Sequence, residues 1–412
     1  MDQPLTRAQY VRWRTAVFAI FLASGLSIAT WASRVPDIKD ALGIDNSQIG
    51  LLLLGMGIAS IVGLSMASVI IARVGTRRGM LGSMLVFAAG VALVGLGTDV
   101  WGSFPVVVAG LALFGFGNGA VDVMMNVEGA AIESHSGKTI LPLFHAFFSF
   151  GTVIGASLGA LAAALRVGVA VHALVIAGTI VLIAVVSFAN VPVREQAGDP
   201  VAAEPGWRER LAVSLSAWRE PRTYALGVIM LGMSFAEGGA NDWLALGVSE
   251  AHGGGATLGA AALAVFSVAM TVVRVFGGPL VDRFGRVATL RVLSAAAAVG
   301  ILLFILAPNL PLVFVGAALW GVGASLGFPL GMSAAADDPA KAAARVSAAA
   351  TIGYVAFLAG PPALGFISDQ IGLLNTLYIL VALVVASGIA SGAARPIAGS
   401  TVGAGNPHER IR

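Results

Sequence analysis

The chain has 412 residues, of which 58% are apolar and only 11% are charged, against about a quarter charged in soluble domains. Its mean hydropathy of +0.91 excludes an ordinary soluble globular protein. The chain holds no cysteine and five scattered histidines, so we expect neither disulfides, nor a metal site, nor a bound cofactor. The pI of 9.6 is compatible with nucleic-acid binding, but the positions of the basic residues argue against it.

Twelve apolar segments are each long enough to cross a bilayer, which takes roughly 20 residues. In chain order, spans 1 to 12 are predicted at about 15–35, 48–71, 79–98, 103–130, 140–165, 168–191, 224–247, 256–281, 288–307, 310–334, 344–367 and 372–394.

The basic residues are distributed unevenly between the two ends of these spans. Twenty of the 24 lysines and arginines lie on the side that holds both termini. Arg34, Lys39 and Arg166 lie on the opposite side, and Arg274 lies within span 8. Cytoplasmic loops of membrane proteins carry such an excess. The sequence therefore predicts a multi-pass protein of the cytoplasmic membrane with both termini in the cytoplasm, and it needs no nucleic-acid partner.

A polar stretch divides the spans six and six. We expect an N-terminal bundle at 1–192, a linker at 193–222, a C-terminal bundle at 223–396 and a cytoplasmic tail at 397–412. Within the linker, apolar residues recur at helical spacing from Trp207 to Trp218. This pattern indicates an amphipathic helix, either in the membrane interface or packed under the bundle.

The two halves repeat one another. The turn G-P-L-V-D-R-F-G-R at Gly278–Arg286 has a weaker copy 210 residues earlier, at Ser68–Arg78. The glycine motif of span 4 at Gly115–Gly119 recurs in span 10 at Gly321–Ser325, with an offset of 206. Such nearly constant offsets indicate an internal duplication, which is how many transporters build two bundles around a central site.

With two six-span halves and D-R-F-G-R between spans 8 and 9, the chain resembles the major facilitator superfamily. In the matching turn between spans 2 and 3, Ala72 stands where that family usually has an acid. Residues Gly119–Asn126 and Leu143–Gly151 are similar to the fucose–proton symporter branch, and rhizopine-type permeases also look similar. That branch has an acid in span 1, whereas no carboxylate lies between Thr15 and Pro36 here. The resemblance implies an all-α membrane fold of twelve helices in two pseudo-symmetric six-helix bundles.

Span 4 carries the first group of candidate functional residues. Asn118, Asp122 and Asn126 are spaced by four residues, which places them on one helical face. A charge at the centre of a bilayer costs roughly 2.5–3.5 kcal/mol, so such residues usually serve a function. We predict that Asp122 carries the coupled proton and that the asparagines bind solute. In the alternative, Asp122 is structural and pairs with Arg274 or Asn118.

Span 7 carries the second group. Glu237 and Asp242 flank Gly238, Gly239 and Asn241, and paired glycines at mid-span favour a break in the helix that frees carbonyl groups for a ligand. We predict roles in proton coupling for both carboxylates, and roles in solute binding for Glu237 and Asn241. Asp242 lies nearer the membrane interface, where simple hydration is the alternative.

Four ring side chains complete the predicted solute site. They are His145 in span 5 and the tryptophans Trp31, Trp243 and Trp320 in spans 1, 7 and 10. An indole face can pack against the C–H face of a sugar ring or against an apolar solute. Helix packing is an equal alternative for the tryptophans, and an ordinary interfacial position is the alternative for His145.

The two repeated turns are predicted to form a cytoplasmic latch that biases the conformational equilibrium. Its residues are Arg73, Gly75, Arg77 and Arg78 in the first turn and Asp282, Arg283, Gly285 and Arg286 in the second. The turns require glycine, and the acid can bond to a neighbouring helix end or arginine. In the alternative, the basic residues only set membrane topology.

Together these features predict a secondary transporter that couples uptake of a small polar solute, such as a sugar or a related metabolite, to protons by alternating access. No enzyme activity is expected, because no nucleophile, base and orienting group converge. The expected partners are the solute, protons and the bilayer, and we expect a monomer. A proton-driven efflux antiporter for apolar or amphipathic compounds is the first alternative, and a non-transporting receptor or scaffold is the second.

Overall fold

A computed structural model describes residues 6–136, 140–193, 217–338 and 341–397, and within these ranges the chain is helical with no strand. The predicted amphipathic helix of the linker and the tail beyond residue 397 lie almost wholly outside them. Within the described residues, eight helices are long and apolar enough to cross a membrane.

The N-terminal half consists of five helices in the described residues. They are Arg7–Leu42, Asn46–Asp99, Phe104–Ser136, Leu141–Ala164 and Val169–Asn190. The second has 54 residues, which at 1.5 Å per residue far exceeds the roughly 30 Å of a bilayer core. It therefore contains both span 2 and span 3.

The C-terminal half repeats this plan with more interruptions. Its α-helices are Pro221–Gly239, Gly255–Leu306, Leu310–Ala324, Gly327–Ala335, Ala342–Ile371, Leu373–Thr376 and Tyr378–Ala390. Two π-helical turns, Ala240–Leu244 and Gly247–Ala251, extend span 7, and a 3₁₀ turn, Ser391–Ala394, ends span 12. The helix Gly255–Leu306 has 52 residues and contains spans 8 and 9.

Both long helices turn at a glycine in the left-handed region of backbone space. Gly75 has φ 80° and ψ 161°, and Gly285 has φ 77° and ψ 160°. A side chain is strained at such a φ, whereas glycine adopts it freely. The predicted requirement for glycine in the two turns is confirmed, and the two copies share nearly the same backbone geometry.

The duplication is also visible in the packing between helices. Gly115 of span 4 lies against Met56 of span 2, and Gly321 of span 10 lies against Phe266 of span 8. The two glycines are 206 residues apart and their partners are 210 apart, which are the offsets of the sequence motifs. Because these glycines meet backbone atoms of the facing helix, any larger residue would push the helices apart.

The helix ends define two faces of the bundle. We call the face that holds Arg7, Gly75, Gly285 and Ala394 the terminal face, and the face that holds the opposite helix ends the distal face. On the distal face the halves are joined by an ion pair of 2.7 Å between Lys39 Nζ and Glu250 Oε2.

Spans 2 and 11 form the second connection on the distal face. The Asp369 carboxylate accepts hydrogen bonds from the backbone N–H groups of Asn46, at 3.2 Å, and Ser47, at 2.8 Å, and from the Ser47 hydroxyl. Gly50 and Gly365 allow the two backbones to approach closely at this point. The structure is therefore closed on the distal face.

Candidate functional site

An ion pair lies at mid-depth in the C-terminal half. Arg274 Nη2 of span 8 lies 2.8 Å from both carboxylate oxygens of Glu237 in span 7. Arg274 Nε donates to the carbonyl oxygen of Ser325 in span 10, at 3.0 Å. Each side chain of the pair is 19% exposed. Three helices of one half thus hold a pair of opposite charges, so neither charge is left without a counter-charge inside the membrane.

The same arginine reaches the other half. Arg274 Nη1 lies 3.4 Å from the hydroxyl oxygen of Ser149 in span 5, a long hydrogen bond. His145 lies one turn earlier on span 5, is exposed, and packs edge-on against Phe21 at a ring distance of 5.3 Å. The structure therefore brings Glu237 together with Arg274, Ser149 and the neighbourhood of His145 where the halves meet.

The polar stripe of span 4 forms as predicted on a continuous helix. The Asn126 amide donates to the backbone oxygen of Asp122, at 2.8 Å, and lies 3.5 Å from its Oδ1. Asn118 is partly buried, and its Oδ1 has no hydrogen-bond partner among the described residues. Asp122 is partly buried and forms no ion pair within the described part of the chain. The alternative pairing of Asp122 with Arg274 is not observed, and the carboxylate that binds Arg274 is that of Glu237.

Span 7 does not break at its paired glycines. The α-helix continues to Gly239 and then widens into the π-helical turn Ala240–Leu244, which holds Asn241 and Asp242. π-Helical turns often occur at functional sites, because the extra residue redirects the side chains that follow. Asp242 is partly buried, and no ion pair to it is found among the described residues.

The three predicted tryptophans lie in different surroundings. Trp320 is fully buried, donates from Nε1 to the backbone oxygen of Ala236 at 2.9 Å, and packs edge-on against Phe304. Trp243 is also fully buried. Both are therefore part of the packed interior of the C-terminal half in this conformation, and contact with a solute stays a prediction. Trp31 lines a cavity inside the N-terminal half.

The first latch turn is held within its own half. Arg77 Nε donates to the backbone oxygen of Phe188, at 2.6 Å, and its guanidinium lies 4.2 Å from the centre of the Phe188 ring. Arg73 and Arg78 are exposed. The turn at Gly75 is thus anchored to the end of span 6.

The second latch turn is anchored differently. Arg286 Nη1 lies 2.6 Å from Oδ1 of Asp337, at the end of span 10. Asp282 and Arg283 are exposed, and Asp282 has no hydrogen bond or ion pair among the described residues. The predicted bond of Asp282 to a neighbouring helix end is therefore absent from this conformation, in which the distal face is closed.

Two acidic residues that the sequence reasoning missed are central to the described contacts. Asp337 is 8% exposed and binds Arg222 as well as Arg286, with 2.9 Å between its Oδ2 and Arg222 Nη2. Glu128 is 1% exposed and accepts a hydrogen bond of 2.8 Å from the Trp13 indole. Glu128 lies within span 4, so the rule that marks charged residues inside spans could have found it.

Comparison with known proteins identifies the family. The family model described as Major Facilitator Superfamily matches residues 16–361 and 235–410. The chain belongs to the major facilitator superfamily. As a member of that superfamily it is a membrane transporter, and its two six-helix halves are those described above. An uncharacterised MFS-type transporter of Yersinia pestis is 31% identical over 374 residues, which cover 90% of this chain and 92% of that protein.

Other similar proteins extend this picture of a superfamily member. An uncharacterised transporter of Sinorhizobium fredii is 30% identical over 363 residues, covering 87% of this chain and 91% of the relative. Among solved structures, the nucleoside transporter NupG, as a mutant, aligns with a TM-score of 0.71 at 12% identity, over 92% of this chain and 99% of its own. FucP, in the outward conformation, aligns with a TM-score of 0.64 at 16% identity, over 94% and 100%. These structural likenesses show the shared fold.

Proposed function

We propose that the protein takes up a small polar solute together with protons, by alternating access of a cavity between its two halves. The observation that carries this proposal is the distribution of charge within the spans. Arg274 and Glu237 neutralise each other, whereas Asp122 in one half and Asp242 in the other have no cationic partner in the described residues. Protonation of either aspartate would remove an uncompensated charge from the membrane interior. Proton binding at these side chains is therefore favoured by the free energy that the unpaired charge costs there.

The inferred solute class is supported by polar groups near the contact between the halves and on the polar face of span 4. Ser149, His145, Asn118 and Asn126 offer hydroxyl, imidazole and amide groups, and the Arg274–Glu237 pair offers charged donors and acceptors. Such a set suits a ligand with several hydroxyl groups. The structurally similar FucP is a fucose–proton symporter and NupG is a nucleoside transporter, which supports a small polar solute of this kind.

The side of the membrane to which the cavity opens is inferred from the excess of basic residues on the terminal face. With the basic terminal face in the cytoplasm, the distal closure would seal the cavity from the outside. The cysteine-free chain allows a direct test with an impermeant maleimide in intact cells. A single cysteine at the exposed Asp40 of the distal face should react, and one at the exposed Ala288 of the terminal face should not. The opposite pattern would reverse the orientation.

The test of coupling uses Asp122→Asn, which imitates the protonated side chain. A thermal-shift screen of sugars, polyols and nucleosides first identifies a solute, since a ligand at 100 times its Kd stabilises the protein by about 2.7 kcal/mol. In proteoliposomes the variant should exchange that solute across the membrane, but should fail to accumulate it when a pH difference is imposed. With this variant, adding solute should also cause no change in the fluorescence of a pH-sensitive dye inside the proteoliposomes, because no proton enters with the solute.

Two matched variants separate the possible carriers of the proton. Glu237→Gln should weaken solute binding itself, because it leaves Arg274 without a counter-charge. Asp242→Asn should bind solute and still accumulate it if Asp122 is the carrier. If the Asp122 variant accumulates solute normally and the Asp242 variant does not, the proton is carried by span 7. If both variants accumulate solute in response to the pH difference, proton coupling through these groups is refuted.

A further inference from the structure

The Arg274 guanidinium has one donor edge that its own half does not use. Glu237 binds Nη2, with 2.8 Å to each carboxylate oxygen, and the backbone oxygen of Ser325 accepts from Nε at 3.0 Å. Both partners belong to the C-terminal half, so that half alone fixes the position of the guanidinium. A guanidinium carries five N–H donors, of which two are on Nη1. These two are left for a partner outside the C-terminal half.

The partner of Nη1 in this conformation is held weakly. The hydroxyl oxygen of Ser149, in the N-terminal half, lies 3.4 Å from Nη1, and no other hydrogen bond to Nη1 is found among the described residues. N–H···O hydrogen bonds are normally about 2.7–3.2 Å long, so this one is at the outer limit. The side chains of Arg274 and Glu237 are each 19% exposed, so neither is sealed inside its half. A solute oxygen at an ordinary distance would make a stronger bond to Nη1 than Ser149 does.

The positive charge of Arg274 is already balanced. The carboxylate of Glu237 neutralises it directly. Asp122 and Asp242, the other carboxylates to which we assign a role in the spans, have no cationic partner in the described part of the chain. An anionic solute would lose its hydration without meeting an unbalanced positive charge, and burying such an ion is strongly unfavourable. An uncharged oxygen that accepts a hydrogen bond has a much smaller desolvation cost.

We propose that the solute carries no negative charge, and that Arg274 Nη1 binds one of its uncharged oxygen atoms in the position that the Ser149 hydroxyl takes here. This narrows the solute class of the proposed uptake function, on which it rests, to compounds such as sugars, polyols and nucleosides. Sugar acids and nucleotides are excluded. Arg274 would then determine specificity in addition to pairing with Glu237.

The test compares matched pairs of compounds by thermal unfolding of the purified protein at pH 8, where histidine side chains are normally uncharged. The pairs are galactose with galacturonate, glucose with glucuronate, and uridine with uridine monophosphate, all at constant ionic strength. Each further compound that binds in the thermal-shift screen is paired with its own acid or phosphate. The uncharged member of at least one pair should raise the unfolding temperature in a saturable way, and its charged counterpart should not.

The outcomes separate the solute class from the transport function. Stabilisation by the charged member of a pair, equal to or greater than that by the uncharged member, would overturn the solute class. If proteoliposomes then accumulate that charged compound in response to a pH difference, proton-coupled uptake itself still holds. If no compound of the screen or of the pairs stabilises the protein, the function as uptake of a small polar solute fails, and the solute class fails with it.

A change at Glu237 tests the charge balance. Glu237→Gln leaves the Arg274 charge unbalanced, so the preference should reverse: the charged member of the pair should now bind, and the uncharged member should bind about tenfold more weakly. Glu220→Gln is the matched control, because Glu220 also binds an arginine, Arg345 at 2.6 Å, but on the terminal face. Its preference should be unchanged. A Glu237→Gln variant that still prefers the uncharged member would refute the role of the charge balance.

A change at Arg274 provides the second test if Glu237→Gln does not fold. Arg274→Lys keeps a positive charge beside Glu237 but lacks the second donor edge of a guanidinium. The uncharged compound should therefore bind about tenfold more weakly, and the charged compound should still not bind. Unaltered affinity for the uncharged compound would mean that Arg274 does not contact the solute, and would refute the assignment.

Discussion

The closure of the distal face should depend strongly on Asp369. Its carboxylate accepts three hydrogen bonds from the start of span 2, two from backbone N–H groups and one from the Ser47 hydroxyl. A hydrogen bond to a charged group contributes about 1.5–3 kcal/mol when buried, and an exposed carboxylate gains less from each. We therefore expect Asp369→Ala to remove about 2 kcal/mol in total from the distal-closed state, since the freed groups are hydrated once that face opens.

A change of about 2 kcal/mol corresponds to about a 30-fold shift towards the distal-open state. Spin labels on introduced cysteines can measure it, because the chain has no cysteine of its own. Labels at the exposed residues Ala41 and Ile371 should move apart across the distal face. Labels at the exposed residues Ala72 and Ala288 should approach each other across the terminal face.

The matched control lies at the start of span 2, the helix end that Asp369 contacts. Asp45 caps span 2 by accepting a hydrogen bond of 2.7 Å from the Gln48 N–H, entirely within the N-terminal half. Asp45→Ala should cost about 1 kcal/mol of helix stability and leave both label distances unchanged. If Asp369→Ala is stably folded and its distances match those of the unaltered protein, the bonds of Asp369 do not hold the halves together.

Three further predictions concern the terminal face. Asp282→Asn should shift the population further towards the distal-closed state and slow transport while solute binding survives; loss of binding with unchanged accessibility would contradict a latch. Asp337→Ala should remove about 3 kcal/mol of stability by leaving two arginines without their counter-charge, and an unfolding temperature within 1 °C of the unaltered protein would refute this. Hydrogen bonds from Arg345 and Lys341 hold the pKa of Glu220 below its ordinary value of 4.5, so their stabilisation is present above that pH and is lost as pH falls through the lowered pKa. Glu220→Gln should therefore lower the unfolding temperature at pH 7. In the variant, the unfolding temperature should also decrease less than in the unaltered protein when the pH is lowered from 7 to below 4.5.

Much of the architecture could be predicted because it depends on local or repeated features of the chain. Apolar length predicted the spans. The constant offsets predicted an internal duplication, which the structure shows in the matching contacts of Gly115 with Met56 and of Gly321 with Phe266. The turns at Gly75 and Gly285 could be predicted because only glycine adopts their φ without strain.

The partners of the charged residues could not be predicted in the same way. Arg274 has carboxylates at similar depth in spans 4 and 7, and the choice of Glu237 depends on how the helices rotate and on which half each belongs to. Asp337 lies beyond a span, where an acid is normally hydrated, and only the assembled bundle brings Arg222 and Arg286 to it. For Trp320, periodicity does not distinguish a core position from a cavity wall.

The helix at Gly238 and Gly239 shows a different limit. Paired glycines weaken a helix, which made a break the natural prediction. The structure is nevertheless helical through both glycines, and the π-helical turn Ala240–Leu244 follows them with one extra residue in the turn.

The pairing of Arg274 with Glu237 inside one half has an electrical consequence. Moving one elementary charge through the membrane field is worth about 2.3 kcal/mol per 100 mV. Because the two opposite charges lie 2.8 Å apart on helices that move together, their displacement carries almost no net charge through the field when the cavity alternates. The bond that the pair makes to the other half ends on the uncharged Ser149 hydroxyl, so breaking it separates no ions. Under the proposed coupling, the currents that accompany transport should then count only the charges of the solute and of the protons.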